Sequence, residues 1–284
     1  TKLKKYMKNL RKNKFKKTIS DFGNEWERFD NTEVSEKELK EIFSSYFKIF
    51  PKKFFNKKKI GIDLGSGTGR WAKYIVKKVK KIYLLEPSKK AINVSKKRLG
   101  KYKNVEYLNI EIKKLNLKDN SLDFAYSLGV LHHLEYPKKC FSIVNKKLKK
   151  NCPFLVYLYH DFENHSLLYK KIWSISEIFR KIISRQNFFL KSIICEIIAL
   201  FIYYPLAKIS FFLNALGVSV KNIPLSFYKD KSFYIMRNDS LDRFGTKYEK
   251  RYSRQDIINL FKKTGYKNIK VSAKRPYWCA IGYN

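Results

Sequence analysis

Only four cysteines occur in 284 residues, and Cys140, Cys152, Cys195 and Cys279 form no Cys-x-x-Cys pair. They are too few for a disulfide framework and lack the spacing of zinc or redox motifs, so a reducing cytoplasm is the expected setting. Acidic residues are also scarce: 24 Asp and Glu against 62 Lys and Arg give a formal charge of +38. Arginine is scarce among those bases, at eleven of the 62. Guanidinium is the preferred group for phosphate and base recognition, and lysine is spread evenly along the chain with many Asn and Ile. The excess therefore reads as compositional drift, and nucleic acid is not the expected partner. The basic N-terminus lacks the apolar core of a signal peptide. No run reaches the ~18 or more apolar residues of a spanning helix. Because the chain begins at Thr1, a few residues are expected ahead of it.

What is present is apolar and aromatic. With 44% hydrophobic content, 22 Phe and 20 Tyr, the chain can bury a real core and is expected to fold as one large domain or one with a sizeable insertion. From residue 59 onward, short apolar strands alternate with helical spacing. Strands are expected at 59–64, 82–85, 104–109, 121–127 and 153–159. Between them, Trp71, Ile75 and Val79 predict a helix, as do Ala91, Val94 and Leu99 after Pro87-Ser88, and Cys140, Phe141, Val144 and Leu148 after Pro137. Such alternation implies right-handed crossovers and a parallel, doubly wound sheet. The rhythm breaks at 161–245 and resumes with a helix at 253–264 and strands at 268–274 and 277–283 joined around Arg275-Pro276. The expected organisation is a helical lead-in at 1–44, a core at 45–160 and 246–284, and a helical insertion at 161–245 after the fifth strand.

The first strand runs into Asp63-Leu64-Gly65-Ser66-Gly67-Thr68-Gly69-Arg70. Three glycines at fixed spacing suggest positive φ angles or a close backbone approach, as a nucleoside ligand demands. A dinucleotide fingerprint would need glycine at Arg70, and a phosphate-cradling loop would end in Gly-Lys-Ser/Thr; neither is present. Glu86 closes the second strand about twenty residues on, where an acid accepts hydrogen bonds from ribose hydroxyls. Asp63 stands where a carboxylate holds the turn through backbone N–H groups, meets a ligand's ammonium, or does both.

This order of motifs resembles the class I S-adenosylmethionine-dependent methyltransferases, in particular their small-molecule branch of quinone, sterol and sugar enzymes. The resemblance implies a mostly parallel, seven-stranded Rossmann-like α/β sheet closed by an antiparallel hairpin. It implies cofactor contacts from Asp63, Gly65, Ser66, Gly67, Gly69, Glu86 and Pro87. It further implies adenine contacts from Glu111 and Ile112, and a wall beside the methionine part from Ser127 and the residues after it. The family usually has Asp at Glu111, Pro at Asn116 and a Lys-Pro-Gly-Gly turn where this chain has Lys150-Asn151-Cys152-Pro153; Asn151 tolerates the left-handed conformation. Asp21-Phe22-Gly23-Asn24-Glu25-Trp26 also looks like a lead-in of members tied to surface-glycan or lipid pathways.

Four histidines, His132, His133, His160 and His165, fall within 34 residues. Methyl transfer to a hydroxyl needs alignment and proton removal, and a histidine has the right pKa. His160 is the preferred base; His132 and His133 either share that role or pack on the sheet. No metal is expected, because no carboxylate or thiol stands at ligand spacing with them. Ser127-Leu128-Gly129-Val130 occupies the slot where amino-methylating nucleic-acid enzymes carry Asn/Asp-Pro-Pro-aromatic, which favours oxygen or carbon over nitrogen as the acceptor atom. The expected acceptor is a small molecule, a sugar or a lipid-linked compound; a basic RNA-binding or RNA-modifying protein is the alternative. Residues 193–213, apolar on more than one face, are buried core, an acceptor pocket or lid, or a peripheral membrane contact assisted by flanking lysines. The last of these would place the protein at the inner face of the membrane. Arg237, Asp239, Asp242 and Arg243 either line the acceptor site or form a hinge network.

Overall fold

The computed structural model describes residues 17–163, 165–274 and 278–284. The expected turn around Arg275-Pro276, the start of the last strand at Tyr277 and the basic N-terminus lie outside them. The chain divides into two compact units, one of 39–161 with 248–284, the other of the chain up to residue 38 with 162–247.

The first unit is a seven-stranded sheet in the order β3-β2-β1-β4-β5-β7-β6. Its strands are β1 (Ile60–Leu64), β2 (Lys81–Leu85), β3 (Val105–Leu108), β4 (Phe124–Leu128), β5 (Pro153–Tyr157), β6 (Lys267–Val271) and β7 (Cys279–Tyr283). The first five run parallel, and β7 is antiparallel to β5 and β6. The central strands are buried and mostly apolar because helices cover both faces, with Asp63 and Ser127 as polar exceptions. Ile62, Leu64, Phe124 and Phe154 are fully buried, and Gly61 is required because a Cβ there would meet the Phe124 ring at 2.0 Å. At the other end of the sheet Asp123 accepts from the Ile60 amide at 2.9 Å and from Lys59 and Lys149. Burial raises its pKa, but these three donors prevail and hold it below the usual carboxylate range.

After the first helix, α1 at 17–28, come α2 (Glu36–Tyr46), α3 (Lys89–Leu99), α4 (Pro137–Lys147), α5 (Leu167–Ile183), α6 (Phe188–Ile198), α7 (Tyr204–Ala215), α8 (Phe233–Gly245) and α9 (Arg254–Lys262). Ser88 caps α3, and Ser253 with Asp256 forms a capping box on α9, as serine placed before an apolar-periodic run predicts. One expected helix is absent: Trp71, Ile75 and Val79 flank two 3₁₀ turns, Ala72–Tyr74 and Val76–Lys78. The burial period is kept, with Trp71, Ile75 and Val79 all in the core, but β-branched Ile75, Val76 and Val79 make a weak α-helix.

The second unit is helical. Its lead-in is fastened by polar side chains: Asp21 pairs with Lys191 at 2.9 Å, Glu25 accepts from Asn238 at 2.9 Å, and the Asn31 amide donates to the Tyr234 hydroxyl at 2.8 Å. The acids of the Asp21 to Trp26 motif thus have a structural use. α6 and α7 are continuous through a π-helical stretch, Ala199–Tyr203, giving one helix of 28 residues, Phe188–Ala215. By length and composition it is apolar enough to cross a membrane, contrary to the expectation drawn from uninterrupted apolar runs. Lys191, Glu196 and Lys208 interrupt the run in sequence without ending the helix. Arg237 pairs with Glu196, and Arg243 with Glu177, while Asp239 accepts from the Tyr228 hydroxyl at 2.9 Å, so this charged segment of α8 forms a network within the helical unit.

Candidate active site

β1 ends in a sharp loop whose Gly65, Gly67 and Gly69 hold φ angles of 77°, 51° and 70°. Two of them answer to the protein's own packing. A Cβ on Gly65 would lie 2.5 Å from the Val130 side chain, and one on Gly69 2.5 Å from Ser95 Oγ. The Gly65 and Ser66 amides both donate to the Leu85 carbonyl, at 2.7 and 3.1 Å, so β2 closes the turn. The turn-holding use expected for Asp63 is therefore performed by backbone.

Two buried carboxyls flank the loop. Glu86 accepts the Gly67 amide on Oε2 at 3.1 Å and the Ser88 amide on Oε1 at 2.9 Å. Its own carbonyl and that of Pro87 accept from Asn109 Nδ2 at 2.9 and 3.0 Å. A carboxylate has about four lone-pair sites, so each oxygen retains capacity for a further donor. Burial pushes Glu86 up to about 7, against the pull of the Ser88 and Gly67 amides. Asp63 is pushed up to about 8, mainly by burial, with Tyr126 opposing, Glu86 adding and Arg70 opposing. Asp63 Oδ2 and Ser66 Oγ are buried with no hydrogen-bond partner. Unsatisfied polar atoms of this kind are costly, and a ligand bearing an ammonium and two ribose hydroxyls fits both them and the spare capacity of Glu86.

Of the residues expected to contact adenine, Glu111 follows β3 and pairs with Lys113 at 2.5 Å, while Ile112 is 6% exposed and belongs to the core cluster. Ser127 is fully buried, and its hydroxyl donates to the Leu64 carbonyl at 2.8 Å, so its side chain ties β4 to β1. Beyond it, Gly129 holds φ 76° with nothing within 4 Å of where a Cβ would stand.

The histidines do not form one cluster. His132 is fully buried and stacks on Tyr159 at 3.7 Å; burial pushes its pKa well below the usual value. His133 is buried with Nδ1 2.8 Å from the Tyr248 carbonyl. His160 is only partly buried, bridges to Tyr252 through its backbone, and stands edge-on to Trp278 at 6.5 Å. His165 belongs to the helical unit, stacked on Tyr169 at 4.1 Å. Among the described residues no group of His, Cys, Asp or Glu is arranged to hold a metal.

Three contributors escaped the sequence reading. Tyr126 was visible only as an apolar member of β4. Asn109 looked like a strand end. The segment 248–252, placed in the core without a role of its own, has Lys250 donating to the His132 carbonyl, Tyr252 to that of Tyr159, and Arg251 to that of His160 at 2.9, 2.9 and 3.0 Å. Turn-forming residues after β2 are a signal for Asn109; nothing local marks 248–252.

Residues 62–156 match the model of the methyltransferase domain family. No curated protein matches the sequence. Among solved structures, a chain of the complex between the Haloferax volcanii Trm112 methyltransferase activator and its methyltransferase candidate aligns with a TM-score of 0.54 at 11% identity, over 92% of this chain and 96% of that one. An S-adenosylmethionine-dependent methyltransferase of Thermotoga maritima, described as a possible histamine N-methyltransferase, aligns at 0.51 and 16% identity, over 92% and 99%. A Bacillus halodurans C-125 protein assigned as a methyltransferase aligns at 0.50 and 11%, over 81% and 71%. At such identities the neighbours establish the fold, and the family match covers the strands and loops that bear Asp63, Glu86 and Ser127. The chain carries the catalytic core of a class I S-adenosylmethionine-dependent methyltransferase.

Proposed function

We propose that the enzyme methylates oxygen or an activated carbon of a small-molecule, sugar or lipid-linked acceptor on the cytoplasmic side of the cell. The observation that carries this reading is the stretch after β4. Gly129 leaves open space there, and Ser127 turns its hydroxyl into β1, so the stretch presents no amide, acid or proline pair to grip an exocyclic amino group.

Bound S-adenosylmethionine supplies an electrophilic methyl on a sulfonium whose departure needs no acid, so the protein's share is alignment and proton removal. Glu86 receives the ribose hydroxyls, and Asp63 with Ser66 receives the polar end of the methionine part. His160 takes the acceptor's proton: of the three histidines in the core unit it is the one left partly exposed, whereas His132 and His133 are buried supports for the residues after β4.

Incubation with methyl-labelled cofactor and fractionated extract tests the acceptor class. Label is expected in the small-molecule or lipid fraction; label confined to RNA would overturn the reading in favour of the RNA-modifying alternative. His160→Ala is expected to lower kcat at least ~100-fold, the usual worth of a general base, with the affinity for S-adenosylmethionine unchanged.

A further inference from the structure

The helical unit buries Phe29, Tyr203, Tyr234, Met236 and Phe244, yet turns much of its apolar side-chain surface outward. Among the described residues, every large hydrophobic side chain left exposed, apart from Tyr136, lies between Leu167 and Phe233. On α5 the outward row is Leu168, Ile172, Ile175, Phe179 and Ile182, spaced three and four apart, while Arg180 is 6% exposed. The continuous α6–α7 helix does the same. Phe189, Phe201, Phe212 and Leu216 are 75%, 69%, 64% and 78% exposed, whereas Lys191, Ser192, Cys195 and Ser210 are nearly or fully buried. In water an amphipathic helix turns its apolar stripe inward, and exposed apolar rows of this length mark an interaction site.

Charge indicates what covers it. Between 167 and 216 the acids are Glu177 and Glu196, and both are bound to arginines, Glu177 by Arg180 and Arg243 and Glu196 by Arg28 and Arg237. Lys171, Lys181 and Lys208 are exposed on the same helices, and Arg185 is exposed in the connection between α5 and α6. An apolar surface carrying cations with no unpaired acid is complementary to an anionic lipid surface, where long basic side chains reach the headgroups while their stems stay apolar. A water-soluble protein partner would instead favour mixed charges at the rim.

We propose that the outward faces of α5 and α6–α7 seat the protein in one leaflet of an anionic bilayer. The helix lies along the interface and does not span it. Its inward row, from Lys191 through Ala199 and Ala207 to Ser210, is buried by protein along its length, and Lys191 holds an ion pair with Asp21. Docking is separable from methyl transfer, because every residue assigned to S-adenosylmethionine lies in the sheet unit.

Flotation of the full chain with vesicles tests it. Binding to phosphatidylcholine vesicles containing phosphatidylglycerol is expected to exceed binding to pure phosphatidylcholine at least tenfold. Phe201→Glu with Phe212→Glu is expected to lower it at least tenfold with unchanged melting temperature and cofactor affinity. Should that variant unfold, Ile178→Glu with Phe179→Glu on α5 serves in its place with the same expectation. Absence of flotation with anionic vesicles overturns the proposal, as does equal flotation of wild type and folded variants. A dimer in vesicle-free buffer that the substitutions split while flotation is unchanged would assign the surface to a second copy of the chain.

Discussion

Glu86 Oε2 accepts the Gly67 amide at 3.1 Å, so the acid that closes β2 also fixes the middle of the glycine loop that closes β1. The proposed ribose acceptor and the loop geometry are thereby one unit, further braced by the second bond to Ser88. Glu86→Gln removes the charge and replaces one acceptor with a donor. Cofactor affinity is expected to fall ~10- to 100-fold, the worth of a hydrogen bond to a charged group, measured by calorimetry. An unchanged Kd would remove Glu86 from the site.

The two buried carboxyls make stability depend on pH. Asp63 and Glu86 are raised from 3.8 and 4.5 to about 8 and about 7, so the folded state binds more protons than the unfolded chain between those limits. Their stabilising contribution is therefore full below about 4 and lost as pH rises through 7 and 8. The expected slope is a loss of ~1.4 kcal/mol per pH unit for each proton in the window, measured by urea denaturation of the ligand-free protein. Cofactor affinity should run the opposite way, rising with pH through about 7 as Glu86 ionises; a flat profile in both would refute the burial argument.

Tyr126 is the hydroxyl that opposes protonation of Asp63. In Tyr126→Phe that opposition disappears, and the upper limb of the pH profile should move to higher pH. The direction of movement is the readout, since loss of packing alone would lower stability at every pH equally.

Gly65 holds a φ of 77° against the Val130 side chain. Gly65→Ala is expected to destabilise by ~1–3 kcal/mol from the backbone conformation, with a steric contribution added. Pairing it with Val130→Ala should recover only the steric part. Additive losses in the double variant, read from urea midpoints, would show that the two do not touch.

Asp21 neutralises Lys191, whose side chain is 2% exposed. Removing one partner of a buried pair leaves an uncompensated charge, so Asp21→Ala should destabilise the helical unit by ~3–5 kcal/mol. Asp21→Ala together with Lys191→Met should recover most of that loss in a thermal scan.

The sheet was legible because its signals are local. A parallel strand covered on both faces must be a short apolar run, and helices between successive strands imply parallel strands joined by right-handed crossovers. Asn151 indeed takes a φ of 61° where the family's glycine turn would be. The 3₁₀ turns after Trp71 were missed because burial spacing is the same for a tight turn and a helix, and only backbone geometry separates them. Likewise His132, His133, His160 and His165 are neighbours in sequence, but burial sorts them, and burial is a property of what packs around a residue.

The amino-acid sequence by itself determined the doubly wound core, the glycine loop and Glu86 at the end of β2, because each depends on residues adjacent in the chain. Tertiary structure alone decided three things: that Leu85 rather than Asp63 holds the loop, that Ser127 faces β1, and that α5 to α7 turn their apolar rows outward. A hydrophobic run states that a surface avoids water. Whether protein covers it depends on the partners that the rest of the chain brings to it, and for α6–α7 those partners cover the row from Lys191 through Ala199 and Ala207 to Ser210 and leave Phe189, Phe201 and Phe212 exposed.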